Sequence, residues 1–171
     1  REVGVSLDVN ESYDFVTKET VNLGDPIRLY AAPNIKGLDF SKMTARLATM
    51  DITKVYTESL GTQLTSLIIG NASATNNELT TISGLNKANK LEVLDVQGCK
   101  GLTSLDLSNQ SYFKTLKAIG SSVASVVFAK GAPVERIELP SLVKTLTLSQ
   151  LPYLDGANVE IDGGWGNITS I

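Results

Sequence analysis

Leu91-Glu92-Val93-Leu94-Asp95-Val96-Gln97-Gly98-Cys99-Lys100-Gly101-Leu102-Thr103-Ser104-Leu105-Asp106-Leu107 decides the fold. The stretch holds two copies of one pattern: apolar, two others, apolar, one other, apolar. Leu91, Leu94 and Val96 make the first copy, and Leu102, Leu105 and Leu107 the second. The second and third apolar residues of each copy lie two apart. That is the period of a β-strand, so they share one face while the residue between them points away. In both copies the residue between is an aspartate, Asp95 or Asp106. The first apolar residue enters from the preceding bend.

Outward from this stretch the pattern recurs. Further copies are Ile35-Leu38-Phe40, Leu47-Met50-Ile52, Leu64-Leu67-Ile69, Val123-Val126-Phe128, Val134-Ile137-Leu139 and Val143-Leu146-Leu148. Two more read as defective: Leu116-Ile119 with Ser121 in third place, and Leu79-Ile82 with Gly84. Leu, Ile, Val, Met and Phe total 53 of 171 residues. Roughly five matches would arise by chance, against eight complete copies, so the surroundings carry the weight. Asp39 and Asp51 repeat the place of Asp95 and Asp106, and Glu138 takes it later. Thr49, Ser66, Ser104, Ser125 and Thr145 precede the second apolar residue.

One such unit is too small to bury its own apolar face, whereas stacked copies bury one another's. Copies starting at 102, 123 and 143 form one series, and 91, 116 and 134 an interleaved one. One turn of chain then holds about 20–25 residues in two half-turns. Ile35 to Leu148 makes about five irregular coils, roughly 25 Å long at about 4.8 Å per stacked strand. The expected fold is mainly β: a solenoid of short parallel strands over residues 31–171.

The stretch resembles the leucine-rich repeat family. Leu91-x-x-Leu94-x-Val96-x-x-Cys99 fits its signature, and Leu102 resumes after it. More narrowly, Leu91–Gln110 and the half-turn period are similar to the roughly 21–23-residue repeats of Bacteroidetes surface proteins and of their phages' tail proteins. The resemblance spans about residues 35–148, with Ile168–Ile171 like the opening of a further copy. Asn71 and Asn109 fall one position early for the family's buried asparagine ladder. The resemblance implies a structural or interaction module in an extracellular, cell-surface or virion setting. The partners it implies are other protein subunits or domains of a larger assembly, or a host glycan or surface receptor.

The flanks differ. In residues 1–30, Val3, Val5, Leu7 and Val9 alternate as in a half-buried strand, and Gly24-Asp25-Pro26 signals a turn. This segment is expected to be an N-terminal β cap or the end of an upstream β domain. Arg1 opens the chain and a repeat-like stretch closes it, so it is read as a segment of a longer protein. Residues 70–90 read as a polar connector with one short helical turn within Thr80–Lys90. Residues 149–167 break the period, with turns at Pro152, Gly156 and Gly163-Gly164-Trp165-Gly166.

Composition narrows the chemistry. Fifteen Lys+Arg against eighteen Asp+Glu give net −3, without the basic cluster of a nucleic-acid footprint. Apolar runs are far too short for a membrane-spanning helix. There is no histidine and one cysteine, which removes His-dependent triads, His metal sites and an internal disulfide. No cofactor is expected. Cys99 is expected to be a buried, inert thiol.

The repeated carboxylates Asp39, Asp51, Asp95 and Asp106 are expected to be solvated strand residues. The alternative is a carboxylate pair on adjacent coils in a carbohydrate-active enzyme. The non-enzymatic expectation is preferred, because an active site breaks a repeat rather than following it. One series points Thr103, Ser104, Asp106, Ala124, Ser125, Val127, Lys144, Thr145 and Thr147 outward. The other points Glu92, Val93, Asp95, Lys117, Ala118, Glu135, Arg136 and Glu138 outward. The neutral face, with Thr103, Ser104, Ser125, Thr145 and Thr147, is the candidate interaction face. Trp165 is either an exposed stacking anchor or, as preferred, a ring packed over the end of the array.

Overall fold

The computed structural model describes residues 2–3, 28–29, 35–41, 47–53, 63–70, 78–146, 148 and 150–168. Their strands are short and every pairing among them is parallel. They are β1 (Glu2–Val3), β2 (Arg28–Leu29), β3 (Gly37–Asp39), β4 (Thr49–Asp51), β5 (Ser66–Ile68) and β6 (Thr81–Ser83). After these come β7 (Val93–Asp95), β8 (Ser104–Leu107), β9 (Thr115–Lys117), β10 (Ser125–Phe128), β11 (Arg136–Leu139) and β12 (Val159–Ile161). The only helical pieces among the described residues are 3-10 turns at Leu85–Lys87, Gly156–Asn158 and Trp165–Asn167. The first of these is the short turn expected within Thr80–Lys90. The fold is mainly β with almost no helix.

Six strands form one ladder in the order β12-β11-β9-β7-β5-β3. The alternate strands form separate pairs, β4 with β6 and β8 with β10. Parallel neighbours need a long crossover, which elsewhere is usually a helix. Here the crossover from β7 to β9 carries β8, and that from β9 to β11 carries β10.

Register comes from a repeated backbone fork. The carbonyl of Lys36 accepts the N–H groups of both Thr65 and Ser66. Thr65 does the same for Glu92 and Val93, Glu92 for Lys114 and Thr115, and Lys114 for Glu135 and Arg136, at 2.8–3.1 Å. The forks align Leu38, Leu67, Leu94, Leu116 and Ile137 in one column, and the pairing of β11 with β12 adds Val159. Leu67, Leu94, Leu116 and Ile137 are wholly buried. Each contributes about 1.5–3 kcal/mol relative to exposure.

This register corrects one repeat. Leu116 pairs with Leu94 and with Ile137, so it holds the second place, not the first. The copy is Phe113-Leu116-Ala118 and it is complete, with all three side chains buried. Ala118, expected to point outward, is a core residue because a small apolar side chain serves in third place. The Leu79-Ile82-Gly84 copy keeps its expected register through the Met50–Ile82 pairing. Residues 149–167 do not abandon the ladder. Val159 and Ile161 fill the second and third places beside Ile137 and Leu139, while Gly156 falls where the first apolar residue would be.

The turns recur as well. Val96–Cys99, Ala118–Ser121 and Ile161–Gly164 each close with a C=O to N–H bond of 2.8–3.1 Å. The third residue of each is a glycine at φ of 71° to 76°: Gly98, Gly120 and Gly163. A side chain there would meet the left-handed penalty that glycine escapes.

Of the N-terminal segment, only the parallel pairing of β1 with β2 falls among the described residues. The expected strand through Val5, Leu7 and Val9 and the Gly24–Pro26 turn lie outside them. No helix among the described residues is long and apolar enough to cross a membrane.

The corrected register predicts a stability contrast. Phe113, buried with its ring 6.1 Å from that of Phe128, should cost about 3–5 kcal/mol when changed to Ala. Ile119→Ala should cost no more than about 2 kcal/mol, because Ile119 sits half-buried in a turn. Urea unfolding of the two variants measures the difference, and equal losses would refute the assignment.

Candidate functional site

Asp39, Asp51 and Asp95 end strands, and Asp106 is the last residue but one of β8. Asp39, Asp51, Asp95 and Asp106 each accept, on a side-chain oxygen, the N–H two residues on: Ser41, Thr53, Gln97 and Ser108, at 2.8–3.0 Å. Such Asx bonds turn the chain out of the strand, which is why aspartate recurs at this place. Asp51 also accepts the Thr53 hydroxyl at 2.6 Å.

Three of the four are exposed, as expected. Asp95 is not: it is only 8% exposed, as is Glu138. Burial pushes the Asp95 carboxyl above the usual carboxylate range. Hydrogen bonds from the Gln97 N–H and Nε2 and the charge of Lys117 work against that rise, while the charge of Glu138 adds to it. Asp106 goes the other way. Hydrogen bonds from the Ser108 hydroxyl and N–H hold its carboxyl below the usual range.

The six-stranded ladder presents charge outward. Lys114 Nζ meets Glu92 Oε2 at 2.7 Å across the β7–β9 pair. Arg136 bridges the buried Glu138 through Nε at 2.6 Å and the exposed Glu160 through Nη2 at 3.3 Å. The solvent-facing pairs of Glu92 and Glu160 add little stability but keep the face hydrated. Neither Lys114 nor Glu160 was among the residues assigned outward from sequence. Lys114 was obscured by the three-residue shift in the copy at Phe113.

The β8–β10 pair presents hydroxyls. Ser104 pairs directly with Ser125, and Asp106 with Val127, and all four are exposed. Thr103, just before β8, is exposed, and its carbonyl accepts the Ala124 N–H at 2.9 Å. Thr145 is exposed, while Thr147 lies outside the described residues. The structure therefore brings Ser104 and Ser125 together and continues the exposed hydroxyls at Thr49 and Thr81 on the β4–β6 pair. Trp165 sits in the turn after β12 with 42% of its surface exposed.

Cys99 is buried, and burial together with the Asp95 charge pushes its thiol up to about 12. Among the described residues no cluster of three or more carboxylate or thiol groups is arranged to hold a metal ion. The family's buried asparagine has a counterpart that sequence reasoning missed. Gln110 is wholly buried, and its Nε2 donates to the Leu85 carbonyl at 2.7 Å, 25 residues back. Ala88, Ala132 and Leu151 occupy the matching turn position, each making the same backbone bond to the residue three before it.

Comparisons with family models, with curated proteins and with solved structures found no match for this chain.

Asp95 yields a pH prediction. Its folded pKa is raised, so its stabilising contribution is present below the ordinary carboxylate pKa and is lost as pH rises through the folded value. Asp95→Asn keeps an oxygen for the Gln97 N–H and carries no charge. The variant should therefore gain on the wild type between pH 4 and pH 7 in urea unfolding. A gap that is constant or shrinks over that range would contradict the account.

Proposed function

We propose that this chain is a leucine-rich-repeat-like β-solenoid within a larger surface-exposed protein, and that its work is structural and recognitive rather than catalytic. From β3 to β11 each coil contributes one strand to the six-stranded ladder and one to the second face. The setting is a phage tail or virion component or a bacterial cell-surface protein, as the resemblance at Leu91–Gln110 implies. The solenoid is a stiff array whose faces meet neighbouring subunits or glycans.

One observation carries the reading. From β3 to β11 strands alternate along the chain between the six-stranded ladder and the β4–β6 and β8–β10 pairs, and the ladder continues in register to β12. Two further features favour it. The Asx bonds give the regular aspartates a turn-forming role, which leaves no need for a catalytic one. The two outward faces differ in chemistry, with paired charges on one and mainly hydroxyls, beside the carboxylates of Asp51 and Asp106, on the other. Hydroxyls cost little to desolvate when they are re-paired across an interface, whereas charges cost far more.

The interaction face is therefore assigned to Thr103, Ser104, Ser125 and Thr145, with Trp165 as a separate exposed anchor. Replacing Thr103, Ser125 and Thr145 together by Lys should dissociate the native assembly, read by light scattering and electron microscopy of the full-length protein. Glu135→Lys on the charged face should leave it intact. An unaffected assembly in the triple variant, with folding preserved, would overturn the assignment.

A further inference from the structure

The turns that carry the chain from the second face back into the ladder repeat one detail. Leu91, Phe113 and Leu154 each donate a backbone N–H to the carbonyl three residues back, at Ala88, Gln110 and Leu151, over 2.9–3.3 Å. The residue just before each of them is exposed: Lys90, Tyr112 and Tyr153. The turn between the last two is tighter. There Val134 bonds the Ala132 carbonyl, two residues back, at 2.8 Å, and the half-buried Pro133 precedes it. These turns lead into β7, β9, β11 and β12, which are ladder neighbours in that order. Lys90, Tyr112, Pro133 and Tyr153 therefore follow one another along the stacking direction.

Tyr112 is 59% exposed and Tyr153 68%. Neither hydroxyl hydrogen-bonds to another described residue. Two ladder steps separate the rings, about 9.6 Å at about 4.8 Å per step. Pro133 lies lower between them, because the tighter turn lifts less chain out of the ladder. The result is a shallow saddle with a ring at each side. Its ends are oppositely charged. Lys90 stands beyond Tyr112, and its bond to the Gln63 amide oxygen at 3.4 Å leaves its charge uncompensated among the described residues. The exposed Asp155 follows Tyr153 by two residues.

Spacing and charge select an occupant. A polyproline II helix rises about 3.1 Å per residue and repeats every three, so its residues i and i+3 share a face about 9.3 Å apart. That matches the two rings. Its backbone makes no internal hydrogen bonds, so its carbonyls are free to accept from the tyrosine hydroxyls. Proline-rich segments of this shape dock on surfaces lined by aromatic rings. The charged ends call for a peptide that is acidic at one end and basic at the other. A neutral glycan also lays rings on tyrosines, but it offers nothing to Lys90 or Asp155. A nucleic acid finds one lysine in the row and a carboxylate at its end.

We propose that the Tyr112–Pro133–Tyr153 row docks a proline-rich segment of another protein in polyproline II conformation. Prolines i and i+3 rest on the two rings, with an acidic residue by Lys90 and a basic residue by Asp155. The row lies at the turns and goes beyond the hydroxyl face already assigned. None of Thr103, Ser125 and Thr145 belongs to it, so the two assignments fail separately.

The test is a titration of the isotope-labelled chain, followed by amide chemical shifts. The probe is the capped peptide Glu-Ala-Pro-Pro-Ala-Pro-Ala-Lys, supplied also in reverse order because the row does not fix chain direction. Controls are a version with every proline replaced by alanine, and cellotetraose. One of the two proline peptides should shift the amides of Tyr112, Phe113, Val134, Tyr153 and Leu154 saturably. Tyr112→Ala combined with Tyr153→Ala should weaken it about ten-fold or more, the scale of losing aromatic anchors, at unchanged thermal midpoint. Lys90→Glu should weaken it too, and should favour a peptide whose glutamate is replaced by lysine. The proposal is overturned if neither proline peptide shifts those amides, or if the alanine version binds as tightly. It is equally overturned if the double variant binds as well as the wild type, if Lys90→Glu leaves the charge preference unchanged, or if cellotetraose shifts those amides in place of the peptide.

Discussion

Along the ladder from β3 to β11, one backbone carbonyl per step accepts two consecutive amides from the entrance of the next strand. Lys36, Thr65, Glu92 and Lys114 repeat this fork four times. A three-residue strand has too few ladder bonds to choose its own register, and a slip of one residue would turn its apolar side chain to solvent. The fork removes that freedom at the strand entrance. Everything downstream inherits the alignment: the Leu67–Leu94–Leu116–Ile137 column, the Lys114–Glu92 pair, and the turn glycines Gly98 and Gly120 that follow β7 and β9.

Strand exits are as strictly managed as entrances. An aspartate between the last two apolar residues bends the chain by capping the amide two residues on. Where the environment is open, as at Asp106, the capping bonds hold the carboxylate ionised. Where neighbouring strands close over it, as at Asp95, burial opposes the charge. One local device therefore carries different electrostatics from strand to strand. The same alternation sends charge to one outward face and hydroxyls to the other, so surface chemistry follows from strand period rather than from any local motif.

Much of this was legible in particular residues. Leu91–Leu107 displayed both strand sets, and Cys99 displayed its burial. Exposure of Ser104 and Ser125 followed from alternation alone. Other features were hidden for physical reasons. At Phe113-Leu116-Ala118 the third place is held by alanine, and the larger Ile119 one position on drew the register three residues away. β12 was hidden because Gly156 stands where an apolar residue opens the other copies of its ladder. Gln110 reads as a surface amide, because only the stacked strands and their turns reveal that its matching positions are Ala88, Ala132 and Leu151. Asp95 and Asp106 are indistinguishable in sequence, since their burial is decided by neighbouring strands.

The most direct test of the account is the register of β7, β9 and β11 in solution, read from backbone proton–proton contacts in an isotope-labelled sample. The account predicts contacts linking Leu94 to Leu116 and Leu116 to Ile137 across the ladder. Contacts linking Leu94 to Ile119 instead would place Leu116 at a strand entrance, break the proposed fork at Glu92, and contradict the stacked arrangement at its centre.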